Sequence, residues 1–210
     1  MRAVAFDCDG VIVDSEPLAE RAWSAGLATF GYHMTPDDVE ACLGVTERDS
    51  YRYFAERVSL PSYDAVMGVV DGFRRSLYED RLEAFPDAVE TIRSLAGEGI
   101  PLAVASSSRR GPLEWKLDRF DLRRYFTTIV SGDDVERGKP APDVYLAAVE
   151  GLGVPATDVL AIEDAVNGAE AATAAGLRVV IVDRSGGLRP GFATVSAVDL
   201  HTVRSWLGLG

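Results

Sequence analysis

Apolar residues in this chain fall into short unbroken runs rather than a single-residue alternation. Arg2-Ala3-Val4-Ala5-Phe6 is the first run, and it stops abruptly at Asp7-Cys8-Asp9-Gly10. Ile100-Pro101-Leu102-Ala103-Val104-Ala105 is the second, and it stops at Ser106-Ser107-Ser108. Phe126 to Val130, Val159 to Ile162 and Arg178 to Val182 follow, with a weaker run near Ala193-Val195. A continuous apolar run bounded by turn signals predicts a strand buried on both faces, the kind found in parallel sheets. Between the runs the pattern turns helical. Phe85-Pro86-Asp87 opens a helix through Leu95, and another runs from the serines to Phe120. One begins at Asp143 and ends near Gly151, an alanine-rich one spans Ala165 to Ala175, and a last one lies near Leu200 to Leu207. This alternation predicts an α/β fold, a doubly wound parallel sheet with right-handed crossovers.

One block breaks the alternation. From Pro17, which suits a first helical turn capped by Ser15 or Asp14, to about Asp80 the pattern is helical throughout. Leu18, Ala22, Ala25, Leu27 and Phe30 share one face, and Gly31 ends that helix. Thr35-Pro36-Asp37-Asp38 starts a second, short helix. Gly44-Val45-Thr46-Glu47 is a loop and cap leading into a third through Tyr51, Phe54 and Val58, and Ser62 to Tyr78 makes a fourth. The expected organisation is therefore an α/β domain of residues 1–14 and 83–210, with an inserted α-helical domain of residues 15–82. The insertion follows the first strand's carboxyl end, where a lid would exclude water from a crevice. Trp23, Trp115 and Trp206 read as packing residues at helical spacing.

Composition narrows the function classes. A chain of 210 residues, 47% apolar and 26% charged, has an ordinary globular make-up. Its net charge of −12 argues against non-specific nucleic-acid binding and against attraction to anionic lipid. No apolar stretch approaches the length of a membrane span, and the N-terminal run breaks at Asp7, too early for a signal peptide. Cys8 and Cys42 make no disulfide framework and are expected to be reduced. These features point to a cytoplasmic protein, expected to be monomeric, whose partner is a small molecule.

The candidate chemistry sits where the strands stop. Asp7 and Asp9 follow the first strand, Ser106 the second, and Glu163-Asp164 the fourth, with Lys139 on a neighbouring loop. A lone Asp-x-Asp-Gly is most simply a surface turn, Ser106 alone a helix cap, and Lys139 alone a solvated loop lysine. Together at strand ends they would meet in one crevice. Crowded carboxylates need a cation, and oxygen-only ligands suit Mg²⁺. One carboxylate can act as a nucleophile on phosphorus, and a second, two residues along, as general acid and base. A hydroxyl and an ammonium would then hold the phosphoryl oxygens.

Phe6-Asp7-Cys8-Asp9-Gly10-Val11-Ile12-Val13-Asp14-Ser15-Glu16, Val104-Ala105-Ser106-Ser107-Ser108, Gly138-Lys139-Pro140-Ala141-Pro142-Asp143 and Ile162-Glu163-Asp164 resemble the four motifs of the haloacid dehalogenase-like hydrolases. The resemblance spans the chain in the right order. It implies a Rossmann-like core, a type-1 helical cap and membership of the branch holding β-phosphoglucomutase and small sugar-phosphate phosphatases. By that resemblance Asp7 is the nucleophile and Asp9 the general acid/base, and Ser106, Ser107 and Lys139 bind phosphate. Asp7, the Asp9 carbonyl, Glu163 and Asp164 would hold Mg²⁺, with Glu163 either a ligand or a group behind the ligands. Glu16, Glu47 and Arg48 are candidate substrate contacts, although a solvated helix face explains Arg48 equally well. Dehalogenation is disfavoured because Asp9 is present. A phosphorylatable receiver domain would lack the insertion. A β-phosphoglucomutase is the alternative to a phosphatase. Ala19 stands where the mutases carry a histidine, and Gly44-Val45-Thr46-Glu47-Arg48 replaces their Gly-Val-Ser-Arg, so the expectation is a Mg²⁺-dependent phosphatase of a small phosphomonoester, a sugar or polyol phosphate.

Overall fold

The computed structural model describes residues 1–42, 46–184, 195–197, 200 and 203. The chain divides into two compact units, one formed by Met1–Val13 with Ala84–Gly210 and the other by Asp14–Glu83.

In the first unit lie strands β1 (Ala3–Phe6), β2 (Leu102–Ala105), β3 (Thr128–Val130), β4 (Val159–Glu163), β5 (Arg178–Val182) and β6 (Val195–Ala197). They form one sheet in the order β3-β2-β1-β4-β5-β6, with every neighbouring pair parallel. Register explains how the faces are filled, because successive side chains of a strand point to opposite sides. Ala5 pairs with Ala103 and with Ala161, so small residues line one face. Helices α7 (Asp143–Leu152) and α8 (Val166–Ala174) pack there, bringing Tyr145, Ala148, Ala169 and Ala172 into the same cluster as those alanines. The bulkier Val4, Phe6, Leu102, Val104, Leu160 and Ile162 fall on the alternate positions and are buried too. Helix α5 (Pro86–Gly97) contacts β2, and Phe126 meets Phe6 edge-on at 6.2 Å. The chain is α/β with a doubly wound parallel sheet.

β1 lies between β2 and β4, where the strand order reverses, and ligand crevices of open α/β sheets form outside the strand ends at such a point. The chain past β1 is wound tightly there. Gly10 takes a left-handed conformation at φ 77°, and its N–H donates to the Val13 carbonyl at 2.9 Å. The Cys8 carbonyl accepts from Ile12 and Val13, and Val11, Ile12 and Val13 are buried.

The second unit holds helices α1 (Glu16–Ala28), α2 (Pro36–Cys42), α3 (Glu47–Ala55) and α4 (Tyr63–Arg81). Its own core consists of Ala22, Trp23, Leu27, Phe54, Val66, Met67 and Val70. Gly26 lets α1 approach α4 closely, for a Cβ there would stand 2.7 Å from Val70 Cγ2. Asp38 is buried but satisfied: it accepts from the Thr35 N–H at 2.8 Å, the Tyr53 hydroxyl at 2.9 Å and the Tyr32 hydroxyl at 3.0 Å. Those bonds, the Thr35 N–H foremost, outweigh burial and hold its carboxyl down to about 2.

Several details differ from the sequence expectation. β3 starts at Thr128 rather than Phe126, because Arg123–Tyr125 closes a 3₁₀ turn just before it. Trp23 is buried, but Trp115 is 36% exposed, beneath the Arg119 guanidinium at 5.4 Å. Helix α6 (Arg110–Arg119) turns Leu113, Lys116 and Leu117 inward instead. Gly44 and Val45, Ala193, Trp206 and most of the helix expected near 200–207 lie outside the described residues. Thr46 does cap α3, its hydroxyl accepting from the Asp49 N–H at 3.2 Å. Among the described residues no helix is long and apolar enough to cross a membrane.

Candidate active site

Asp7 is the first residue beyond β1, and its N–H donates to the Ile162 carbonyl of β4 at 2.9 Å, which extends the ladder to the acid itself. Its side chain is buried. Lys139, also buried, donates to Asp7 Oδ1 at 2.6 Å and to Glu163 Oε1. The Tyr145 hydroxyl donates to the same Glu163 oxygen at 2.6 Å, and the Lys139 ammonium lies 5.1 Å from the centre of the Tyr145 ring. Asp7, Glu163 and the partly exposed Asp164 each offer a carboxylate oxygen within 4.8 Å of the others. Two glycines make room for this cluster. A Cβ on Gly10 would fall 1.8 Å from Asp164 Oδ2, and one on Gly168 would fall 2.1 Å from the Glu163 carboxylate.

Charge in this cluster is poorly screened, because the groups are buried. Burial, above all, pushes the Asp7 carboxyl up to about 7; Glu163 and Asp9 add to this, and Lys139 works against it. Lys139 has burial against its charge, but Asp7 and Glu163 outweigh that and keep it an ammonium. Burial and the neighbouring Glu163 push the Tyr145 hydroxyl well up, so it stays a donor. One ammonium faces more than one carboxylate, and the remaining negative charge suits a hard cation. The donor set is all oxygen, which matches Mg²⁺ rather than a soft metal. Cys8, between the two acids, is buried with its thiol pushed well up, so it is no nucleophile.

Asp9 belongs to a second polar group beside the first. Its Oδ1 accepts from Lys116 Nζ at 2.5 Å and its Oδ2 from the Ser108 hydroxyl at 2.7 Å. Lys116 Nζ also donates to Ser108 Oγ at 3.1 Å. Ser106 is fully buried at the end of β2, its N–H on the Val130 carbonyl and its hydroxyl accepting from the Ser108 N–H at 3.1 Å. Ser107 is exposed. The α/β unit thus brings together Asp7, Asp9, Ser106, Lys139, Glu163 and Asp164. Glu16, Glu47 and Arg48 belong to the helical unit. There Glu47 pairs with Arg74 at 2.7 Å, Arg48 lies over the Tyr63 ring at 4.5 Å, and Glu16 is exposed.

Sequence reasoning missed Lys116, Ser108 and Tyr145. Lys116 left a signal: it sits between Leu113 and Leu117 on the helical stripe that turns inward, where a solvated lysine does not belong. Tyr145 left none, because an aromatic on the inner face of α7 reads as core.

The family model of haloacid dehalogenase-like hydrolases matches residues 4–182. The chain belongs to that family. It is 32% identical over 184 residues to the phosphorylated carbohydrates phosphatase of Thermotoga maritima, covering 84% of this chain and 82% of that one. It is 33% identical over 181 residues to fructose-1-phosphate phosphatase YqaB of Escherichia coli, covering 84% of this chain and 94% of the relative. The crystal structure of CbbY from Rhodobacter sphaeroides in complex with phosphate superposes with a TM-score of 0.84 at 25% identity, over 96% of each chain. In this hydrolase the strand-end cluster therefore sits on a scaffold shared with proteins named for acting on phosphorylated sugars.

Proposed function

We propose that this hydrolase is a Mg²⁺-dependent phosphatase of a small phosphomonoester, a sugar or polyol phosphate, working through an aspartyl-phosphate on Asp7. The observation that carries the reading is the buried Asp7–Lys139–Glu163 contact beside Asp164 at the carboxyl ends of the central strands. The names of the Thermotoga maritima and Escherichia coli relatives support the substrate class.

Asp7, Asp164 and the Asp9 carbonyl would hold Mg²⁺, and Glu163 either joins them or anchors Lys139; the bonds it accepts from Lys139 and Tyr145 favour the anchor. When bound, the cation supplies positive charge to the phosphoryl oxygens and keeps Asp7 ionised. Lys139 and the Ser106 and Ser107 hydroxyls hold the remaining phosphoryl oxygens. An Asp7 oxygen attacks phosphorus, and the bond to the alcohol oxygen breaks as Asp9 gives that oxygen its proton. Asp9, now a carboxylate, takes a proton from water, whose oxygen attacks phosphorus. The Asp7–phosphorus bond breaks, inorganic phosphate leaves, and both acids return to their starting forms. The helical unit serves as the cap that excludes bulk water and selects the leaving group, with Glu16, Glu47 and Arg48 as candidate contacts.

Phosphate release is the test, from fructose 1-phosphate, mannitol 1-phosphate, glucose 6-phosphate and β-glucose 1-phosphate, with Mg²⁺ and with EDTA. Release that EDTA abolishes is expected, and Asp7→Asn should reduce it to background while the protein remains folded. Substantial turnover by Asp7→Asn would refute the nucleophile. Conversion of β-glucose 1-phosphate to glucose 6-phosphate with little free phosphate would make the enzyme a mutase.

A further inference from the structure

Lys116 is the second buried lysine of the α/β unit, and the hydrolytic scheme above gives it no part. It lies on α6 at 2% exposure between Leu113 and Leu117. Burying an ammonium is costly unless it is paired, and a buried ion pair rarely stabilises a fold better than an apolar side chain of similar shape. Packing alone would be served as well by leucine or methionine. The position of the charge is what needs a reason.

That charge ends on Asp9. Lys116 Nζ donates to Asp9 Oδ1 at 2.5 Å and to Ser108 Oγ at 3.1 Å, and the Ser108 hydroxyl donates to Asp9 Oδ2 at 2.7 Å. The three bonds close a ring. Both Asp9 oxygens are gripped, so the plane of the carboxyl group is set as well as its position. Because Ser108 accepts from Lys116, its own hydrogen is directed at Asp9. Ser108 is itself fixed, its N–H held by the Ser106 hydroxyl at 3.1 Å. The Asp9 side chain is 31% exposed, against 3% for Lys116. The acid thus keeps an open side for a reacting group while its other side is anchored in the protein.

We infer that Lys116, with Ser108, is a positioning residue that aims the Asp9 carboxyl at the oxygen of the leaving alcohol. This inference rests on the acid/base reading of Asp9. A proton donor must be held within hydrogen-bond reach of the oxygen it serves, and small misplacements cost large factors in rate. A cation on α6 thereby ties the alignment of the acid after β1 to the loop after β2. Lys116 touches neither phosphate nor metal in this role.

The test uses the dependence on the leaving group. An alkoxide needs a proton as it departs, whereas p-nitrophenolate leaves without one. The ratio kcat/KM follows the reaction only through loss of the leaving group, so the later attack of water does not blur it. We compare wild type, Lys116→Met, Lys116→Arg, Ser108→Ala and Asp9→Asn on p-nitrophenyl phosphate and on the fastest alkyl ester of the panel above. Lys116→Met should lower kcat/KM for the alkyl ester by at least ~10-fold more than for p-nitrophenyl phosphate, within the ~10²–10⁴-fold a positioned acid contributes. Ser108→Ala should shift the same ratio in the same direction, and Lys116→Arg should restore part of it. The melting temperature of Lys116→Met should stay near that of wild type. Equal losses on both substrates, or none, would reduce Lys116 to a structural ion pair and overturn the inference. If Lys116→Met does not fold, Ser108→Ala and Lys116→Arg carry the same comparison. Asp9→Asn separates the two levels. If it shows no leaving-group dependence, the acid assignment itself fails and the inference falls with it. If it does and Lys116→Met does not, only the inference fails.

Discussion

Gly168 shows how closely the acidic cluster is fitted. It lies on α8, one turn beyond Glu163-Asp164, and a Cβ there would stand 2.1 Å from the Glu163 carboxylate. Glu163 cannot yield without leaving Lys139 and Tyr145. Gly168→Ala gains the helix propensity of alanine, up to about 1 kcal/mol, but overpacking a tight site costs about 1–3 kcal/mol. The expected outcome is a small net loss of stability with a fall in kcat on the order of 10²-fold, the cost of displacing by about 1 Å the Lys139 ammonium proposed to hold the phosphate. Near-wild-type kcat in steady-state assays would mean that Glu163 can move freely. Asp7 and Glu163 were legible in the sequence because each follows an apolar run, and Lys139 because Gly138-Lys139-Pro140-Ala141-Pro142-Asp143 resembles a family motif. Gly168 and Tyr145 were not, because their part depends on which helix face meets which strand end.

At the level of elements, the start of α5 is tied to the turn after β1 by one arginine. Arg184, just past β5, donates to both Asp87 oxygens at 3.1 Å, to the Gly10 carbonyl at 3.3 Å and to the Val11 carbonyl at 3.1 Å. Its guanidinium also lies 3.6 Å from the centre of the Phe85 ring. Asp87 accepts in addition from the Leu200 N–H at 2.8 Å. Burial would raise the Asp87 carboxyl, but the Leu200 N–H and Arg184 outweigh it and hold it below the usual carboxylate range. Asp87→Asn should therefore cost about 1–3 kcal/mol in urea unfolding at neutral pH. The sign of its pH dependence follows from a depressed folded-state value. The contribution is complete above the unfolded value of about 3.9 and disappears as pH falls through the folded one. The difference between variant and wild type should shrink in acid; a constant difference would show that shape, not charge, matters. No sequence pattern announced this tie. Its members come from the turn after β1, α5 and the segments after β5, and only folding makes them neighbours.

At the scale of the molecule, a net charge of −12 and a largely buried carboxylate cluster, proposed to hold a divalent cation, tie the expected stability to cation and proton together. Without a cation, burial and the neighbouring acids hold the Asp7 carboxyl up to about 7. The folded state then keeps a proton that the unfolded chain releases near ~3.9, so stability falls as pH rises between these values. At the proposed site a divalent cation would take over the role of that proton. Mg²⁺ should accordingly raise the melting temperature more at pH 8 than at pH 5.5. Equal shifts at both pH values would place the bound cation away from Asp7.

Local pattern along the chain was enough to set the layer architecture and to locate the candidate site residues. Short apolar runs are long enough for buried strands and too short for anything else, and a polar residue that ends such a run must emerge at a strand end. Strand order was not determined locally, because pairing is a choice among distant segments. The tertiary structure decided that β1 sits between β2 and β4, that alanines line one face so that α7 and α8 pack there, and that Lys116 turns inward. It also decided that the second acid after β1 is held by a helix and a loop far along the chain. Contacts between residues 107 positions apart, such as Lys116 with Asp9, obey no local period, and only the completed fold brings them within a hydrogen bond.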